Sequence, residues 1–191
     1  MDAYFEITFI VVCILWLGSE LAVTFSRRAE DATAQLRDSR SLMVINITIY
    51  GSIILAAWVR TFRGWHFGVD LAYLKWIGLG LIVIGICIKW LSVFTLRKFF
   101  TVNVAVFNDH QLISHGLYRY VRHPSYFGVL ISFFGLGLAF RSWLSVVALV
   151  LPIALAFLWR IRVEEASMCD AFPDGYAAYR KRTSMLIPFV L

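Results

Sequence analysis

Long apolar runs separated by short polar connections set the pattern of this chain. A membrane-crossing helix needs about 20 mostly apolar residues at 1.5 Å rise each. The pattern predicts five such segments. The first is 4–25, with Glu6 near one end and Glu20 near the other. An acid near the end of a span reaches water at lower cost than it enters a bundle, so Glu20 is expected at the interface, a partner inside the bundle being the alternative. Residues 26–40, SRRAEDATAQLRDSR, read as a polar linker. The second span is 41–59, and a short loop at 60–70 leads to a third at 71–96 that contains Gly78, Gly80 and Gly85, residues small enough for close helix packing. The fourth run, 125–140, has 16 residues. That is about 24 Å of helix against a hydrocarbon core of about 30 Å. Its helix is therefore expected to start earlier, with Pro124 in the first turn. Arg141-Ser142 is a tight connection to the fifth run, 143–159, which Pro152 should kink. These two runs predict a helical hairpin. Residues 160–172 continue the fifth helix into solvent, Pro173-Asp174-Gly175 reads as a turn, and 176–182 as a short helix.

Composition supports this reading. The chain has 191 residues, 60% hydrophobic and 16% charged, where soluble domains are about 45–50% apolar and about 25% charged. The expected fold is an all-α integral membrane protein, one integrated domain. Residues 1–96 supply three N-terminal helices, and 97–191 carry the hairpin and the polar segments. The net charge of +6 does not indicate nucleic-acid binding, because the basic residues flank apolar runs and resemble no nucleic-acid module. They set topology instead. Four Lys or Arg residues lie in 26–40, four in 97–124 and five in the tail, while the opposite side has none before the first span, two or three around 60–75, and Arg141. The positive-inside rule then puts the N-terminus outside and the C-terminus in the cytosol. Cys13, Cys87 and Cys169 are widely spaced and read as free thiols. The N-terminal flank of the first span has acids, Asp2 and Glu6, and no lysine or arginine, and the apolar run is too long for a cleavable signal peptide.

The stretch from His110 to Gly128, HQLISHGLYRYVRHPSYFG, is polar, basic and aromatic between apolar runs. Lipid cannot satisfy its polar groups, so it must be buried in protein, lie at the interface or line a site. It contains RHPxYxG (Arg122, His123, Pro124, Tyr126, Gly128), and the acidic pair Glu164-Glu165 follows some 40 residues later. Arg160 and Glu164 stand four apart on a helix and share a face. As an exposed pair they would contribute only about 0.3–0.5 kcal/mol. His110, His115 and His123 match no zinc-ligand spacing. Ser114 and Ser125 lie near histidines, but no GxSxG motif accompanies them.

These residues resemble a known family. HQLISHGLY, VRHPSYFG, the arginine before EE and the DGYAAYRKR…IPF tail make residues 97–191 similar to the isoprenylcysteine carboxyl methyltransferases, within a wider group that includes membrane phospholipid methyltransferases. Residues 1–96 match only as apolar spans. The resemblance implies S-adenosylmethionine as methyl donor. Carried over by position, it implies that Asn103, His110, Gln111, Leu112, Ile113, Tyr118, His123, Pro124, Ser125, Tyr126 and Glu164 contact the donor and that Arg160 holds the substrate carboxylate. Arg160, Glu164 and Glu165 form the implied catalytic group. The site is then built from 97–124, the start of the fourth helix, the end of the fifth and the tail, facing the cytosol. The implied acceptor is an S-prenylated cysteine, at a protein C-terminus or in a small analogue, and the alternative is a lipid amine such as phosphatidylethanolamine. Membrane lipids are the surroundings; neither nucleic acid nor metal is expected. A carboxylate is already ionised at neutral pH and needs no base, whereas an amine must first lose a proton, for which Glu165 or His115 are candidates. An acyl or prenyl tail is expected to enter between helices past Phe127, Phe133, Phe134 and Trp159.

Overall fold

A computed structural model of the chain describes residues 2–31, 35–38, 40–62, 64, 67, 72–96, 104–106 and 112–188. Six helices carry the fold: α1 (Asp2–Asp31), α2 (Arg40–Val59), α3 (Ala72–Leu96), α4 (Pro124–Ala139), α5 (Trp143–Ala171) and α6 (Pro173–Arg180). A 3-10 turn at Gly116–Arg119 precedes α4. A small antiparallel ribbon pairs β1 (Gln35–Asp38) with β2 (Val104–Val106). Among the described residues, four helices are long and apolar enough to cross a membrane, at Ala3–Val23, Ser41–Val59, Tyr73–Leu96 and Trp143–Ala171, and α4 is a shorter apolar helix.

Two local expectations are corrected. The polar stretch 26–40 is not simply a linker, because α1 runs on to Asp31 and β1 follows. Nothing in its sequence breaks a helix before that point, and alanines and charged residues sustain one. Pro173-Asp174-Gly175 is the first turn of α6 rather than a separate turn. Proline at the start of a helix gives up only an N–H that has no partner there.

Neighbouring helices alternate in direction. On α2 and α5, Ser145 Oγ donates to the Ala56 carbonyl (3.0 Å) and Arg160 donates to Ser41, so the two helices are antiparallel. On α1 and α3, Phe5 meets Trp76 and Glu20 meets Lys89, so these are parallel. The closest approach is α3 against α4. A methyl group added at Gly135 would stand 2.5 Å from the Gly78 carbonyl oxygen, and one at Gly128 would stand 2.6 Å from that of Gly85. Glycine lets the two backbones touch there, and Ser132 Oγ completes the seam by donating to the Ile82 carbonyl (3.2 Å). Of the three glycines expected to allow close packing, Gly78 and Gly85 do so; Gly80 faces open space. The hairpin between α4 and α5 turns at Arg141, whose φ of 56° is left-handed. Ser142 then caps α5 by accepting from the Ser145 amide (3.3 Å).

Ile45, Ala56, Ile82, Phe133, Leu149, Ile153 and Phe157 form the buried core. Outward residues such as Ile7, Ile14, Ile54, Leu151 and Leu155 are apolar and exposed, as the lipid-facing side of a bundle requires. Overfilling a packed seam typically costs about 1–3 kcal/mol. Gly85→Leu and Gly135→Leu should therefore lower the unfolding temperature of the detergent-solubilised protein, and Gly80→Leu should leave it unchanged. Equal effects at Gly80 and Gly85 would contradict the α3–α4 seam.

Candidate active site

The site grows from the inner end of α5. Arg160 and Glu164 lie one turn apart, and the Arg160 Nε donates to Glu164 Oε1 at 2.9 Å. Unlike an exposed pair, Arg160 is only 1% exposed. A second guanidinium nitrogen donates to the Ser41 hydroxyl at the start of α2. Tyr126, in the first turns of α4, donates its hydroxyl to the same Glu164 oxygen. Its ring lies 4.6 Å from Phe157 and 5.9 Å from His123, centroid to centroid. Removing either partner of such a buried charge pair typically costs about 3–5 kcal/mol.

His123, immediately before α4, bridges the two acids. Its Nδ1 is 3.5 Å from Glu164 Oε2 and its Nε2 is 3.5 Å from Glu165 Oε1. Burial alone would lower the pKa of this imidazole, but the two carboxylates outweigh it and hold the value above the ordinary histidine range.

Glu165 faces a different partner set. Arg122 Nε donates to Glu165 Oε1 (2.7 Å), and Arg180 Nε stands 3.4 Å from Oε2. Arg122 also donates to the carbonyls of Arg180 (3.1 Å) and Thr183. Arg122 thereby ties α5, the α4 entry and the C-terminal tail together. The backbone does the same: the Arg122 amide donates to the Ser184 carbonyl (2.9 Å), that of His123 to Met185 (3.1 Å), and that of Ser184 to Tyr120 (3.0 Å). Tyr179 on α6 donates its hydroxyl to the Tyr118 carbonyl (2.7 Å). Burial raises the Tyr118 and Tyr176 phenols and pushes Tyr179 up to about 12, so all three stay neutral.

A cavity of about 400 Å³ ends at this cluster. Its walls come mainly from α1, α2 and α4, with Lys89 of α3 and Phe157 and Arg160 of α5; Leu17, Ile45, Val129, Phe133 and Phe157 are among the apolar lining, and Arg160 and Tyr126 stand at the polar end. Of the four aromatics expected beside a lipid opening, Phe133 lines this cavity. Phe127 faces a separate apolar pocket, and Phe134 and Trp159 are exposed on the outside of their helices.

The expected site residues therefore divide. His123, Tyr126, Arg160, Glu164 and Glu165 come together in one cluster. Ser125 joins the large cavity, while Pro124 lies on the other pocket with Ile88, Leu117 and Pro188. Tyr118 is buried under α6, and Leu112 and Ile113 are half-buried, Leu112 against α6 at Gly175. Asn103, His110 and Gln111 lie outside the described residues. Glu20 is not simply interfacial: it pairs with Lys89 across α1 and α3. The sequence reading assigned no site role to Ser41, Arg122 or the cavity-lining face of α2. Only the arginine of RHPxYxG carried a signal that could have been followed.

The sequence model of the isoprenylcysteine carboxyl methyltransferase (ICMT) family matches residues 76–170, which hold most of α3, the RHPxYxG segment, the hairpin and both acids. The chain belongs to this family. Among its relatives, a probable protein-S-isoprenylcysteine O-methyltransferase of Oryza sativa subsp. indica is 29% identical over 95% of each chain. The protein-S-isoprenylcysteine O-methyltransferase of Schizosaccharomyces pombe is 38% identical over 82 residues, 43% of this chain and 35% of the relative. The solved structure of the eukaryotic intramembrane Ras methyltransferase ICMT superposes with a TM-score of 0.63 at 26% identity, covering 76% of this chain and 52% of the other. This family member thus spans about half the length of that solved enzyme.

The His123 contacts carry a pH signature. A histidine whose folded pKa is raised contributes stability that is fully present below its unfolded value of about 6.5 and is lost as pH rises through the higher folded value. The unfolding temperature in detergent should fall across that interval, and His123→Gln should flatten the fall. An unchanged slope in the variant would contradict a charged His123 between the two carboxylates.

Proposed function

We propose that the chain is an S-adenosylmethionine-dependent methyltransferase that esterifies the α-carboxylate of an S-prenylated cysteine at the membrane. One observation carries the reading: a buried arginine stands where an apolar cavity meets a cluster of carboxylates. A long apolar tail suits the cavity, and a carboxylate head suits the guanidinium fork. The family membership and the names of the relatives support the same substrate class. The proposed topology has five crossings, α4 being the short one, with the N-terminus outside and the site on the cytosolic side, in line with the distribution of Lys and Arg.

The residues present fit a sulfonium donor. Glu164 retains partial exposure beside the ring of Tyr126, and carboxylates and aromatic faces both attract a fixed positive charge. Glu164, His123 and Tyr126 would hold the donor, with Tyr118, Leu112 and Ile113 as further wall and Asn103, His110 and Gln111 as the remaining proposed contacts. When bound, that donor supplies a methyl group on a sulfonium sulfur, which an ionised carboxylate accepts without a base. Arg160 orients the carboxylate, and its own ties to Glu164 and Ser41 keep it from neutralising the nucleophile fully. The apolar cavity wall excludes water from the acceptor. Glu165 is engaged by Arg122 and Arg180, which argues against its acting as a free base for an amine acceptor. It serves instead to hold the tail against the site.

The direct experiment supplies labelled S-adenosylmethionine to the purified protein with N-acetyl-S-farnesylcysteine or phosphatidylethanolamine. Base-labile methyl ester on the former is expected, whereas label on the lipid amine would move the function to N-methylation. Arg160→Ala should cut turnover at least about 100-fold, the scale of lost alignment, while sparing donor binding. Glu164→Ala should weaken donor binding; unchanged donor affinity in the folded variant would contradict its role.

A further inference from the structure

The large cavity holds a second charged element that the proposed reaction does not use. Glu20 on α1 and Lys89 on α3 form an ion pair, and both line the same cavity as Arg160 and Tyr126. The Lys89 side chain is largely buried, at 12% exposure. Lys89 sits at the head end: a methyl added at Gly128, two residues beyond Tyr126, would stand 3.0 Å from the Lys89 amide nitrogen. Charges inside spanning helices are costly to desolvate and tend to mark substrate paths. α1 also docks through Phe5 on Trp76 (5.3 Å between centroids) and Trp16 on Phe133 (5.0 Å).

Resting on the prenylcysteine reading above, we infer that the Glu20–Lys89 pair reads the group attached to the acceptor's α-nitrogen and selects an acylated nitrogen over a free ammonium. The ammonium of Lys89 only donates hydrogen bonds and the carboxylate of Glu20 only accepts them. Together they present one donor and one acceptor with no net charge. An amide offers the complement, a carbonyl for Lys89 and an N–H for Glu20. A free α-ammonium, charged at neutral pH, satisfies Glu20 but places a like charge beside Lys89, a repulsive element that discriminates against it. The fitting acceptor is therefore the end of a peptide chain or an N-acyl analogue.

The test compares N-acetyl-S-farnesylcysteine with S-farnesylcysteine on three full-length proteins: wild type, Glu20→Gln/Lys89→Met, and the exchanged pair Glu20→Lys/Lys89→Glu. The wild type should favour the acetylated acceptor. The neutral double variant should lose about tenfold of that preference, the scale of one hydrogen bond to a charged group. The loss should appear as a higher KM for the acetylated acceptor, with kcat and donor affinity within about twofold. The exchanged pair keeps an ion pair and hence the fold, but reverses donor and acceptor, so it should not recover the preference. Preference intact in either variant overturns the inference and leaves the pair a purely structural link. Absence of methyl transfer by the wild type to both acceptors overturns the prenylcysteine reading itself, and this inference with it.

Discussion

The burial of the Arg160 guanidinium in a largely apolar bundle constrains everything around it. A guanidinium stays charged under all ordinary conditions, so it cannot escape the desolvation cost by losing its proton. It must be paired and hydrogen-bonded. Glu164 supplies the counter-charge one turn along the same helix, and Ser41 supplies an acceptor from α2. Those two demands fix the register of α2 against α5, and Ser145 bonding to Ala56 repeats the register farther along. Tyr126 then joins α4 to the same oxygen of Glu164. Three helices are held in common by one charge.

The rest of the molecule shapes access to that charge. The glycine seam brings α4 hard against α3. The cavity lies instead against α1 and α2, where most of the lining is apolar and α1 has little burial of its own. On the other side, Arg122 and Glu165 clamp the tail, and α6 covers Tyr118. The two acids of the EE pair thus have separate tasks. Glu164 turns toward Arg160 and Tyr126, which line the cavity, and Glu165 turns toward Arg122 and the tail. His123 links both acids, so the two faces of the site are electrostatically coupled through one imidazole.

Much of this was legible in the sequence, and the limits have physical causes. The spans were readable because hydrophobic runs of helical length leave few alternatives. The Arg160–Glu164 face followed from helical periodicity, and RHPxYxG from its placement between apolar runs. Burial of Arg160 was not readable, because i,i+4 spacing is the same for a solvated pair and a buried one. The Glu20–Lys89 contact joins residues 69 positions apart, and neither local pattern points to the other. The cavity was invisible for a similar reason: Leu17, Ile45 and Val129 look like ordinary lipid-facing residues until three helices leave a gap between them. Pro124 and Ser125 adjoin in sequence but face different pockets, which a motif read as one unit hides.

The central claim is that an acceptor's apolar tail occupies the α1–α2–α4 cavity with its head at Arg160. Photo-crosslinking tests it most directly. A prenylcysteine analogue bearing a photoreactive group on its tail would be irradiated with the membrane-embedded protein and the adducts mapped by mass spectrometry. The account predicts adducts on cavity residues of α1 and α2, such as Leu17 and Ile49, that vanish with excess N-acetyl-S-farnesylcysteine. Competable adducts confined to the exposed faces of α4 and α5, around Phe134 and Leu155, would contradict it.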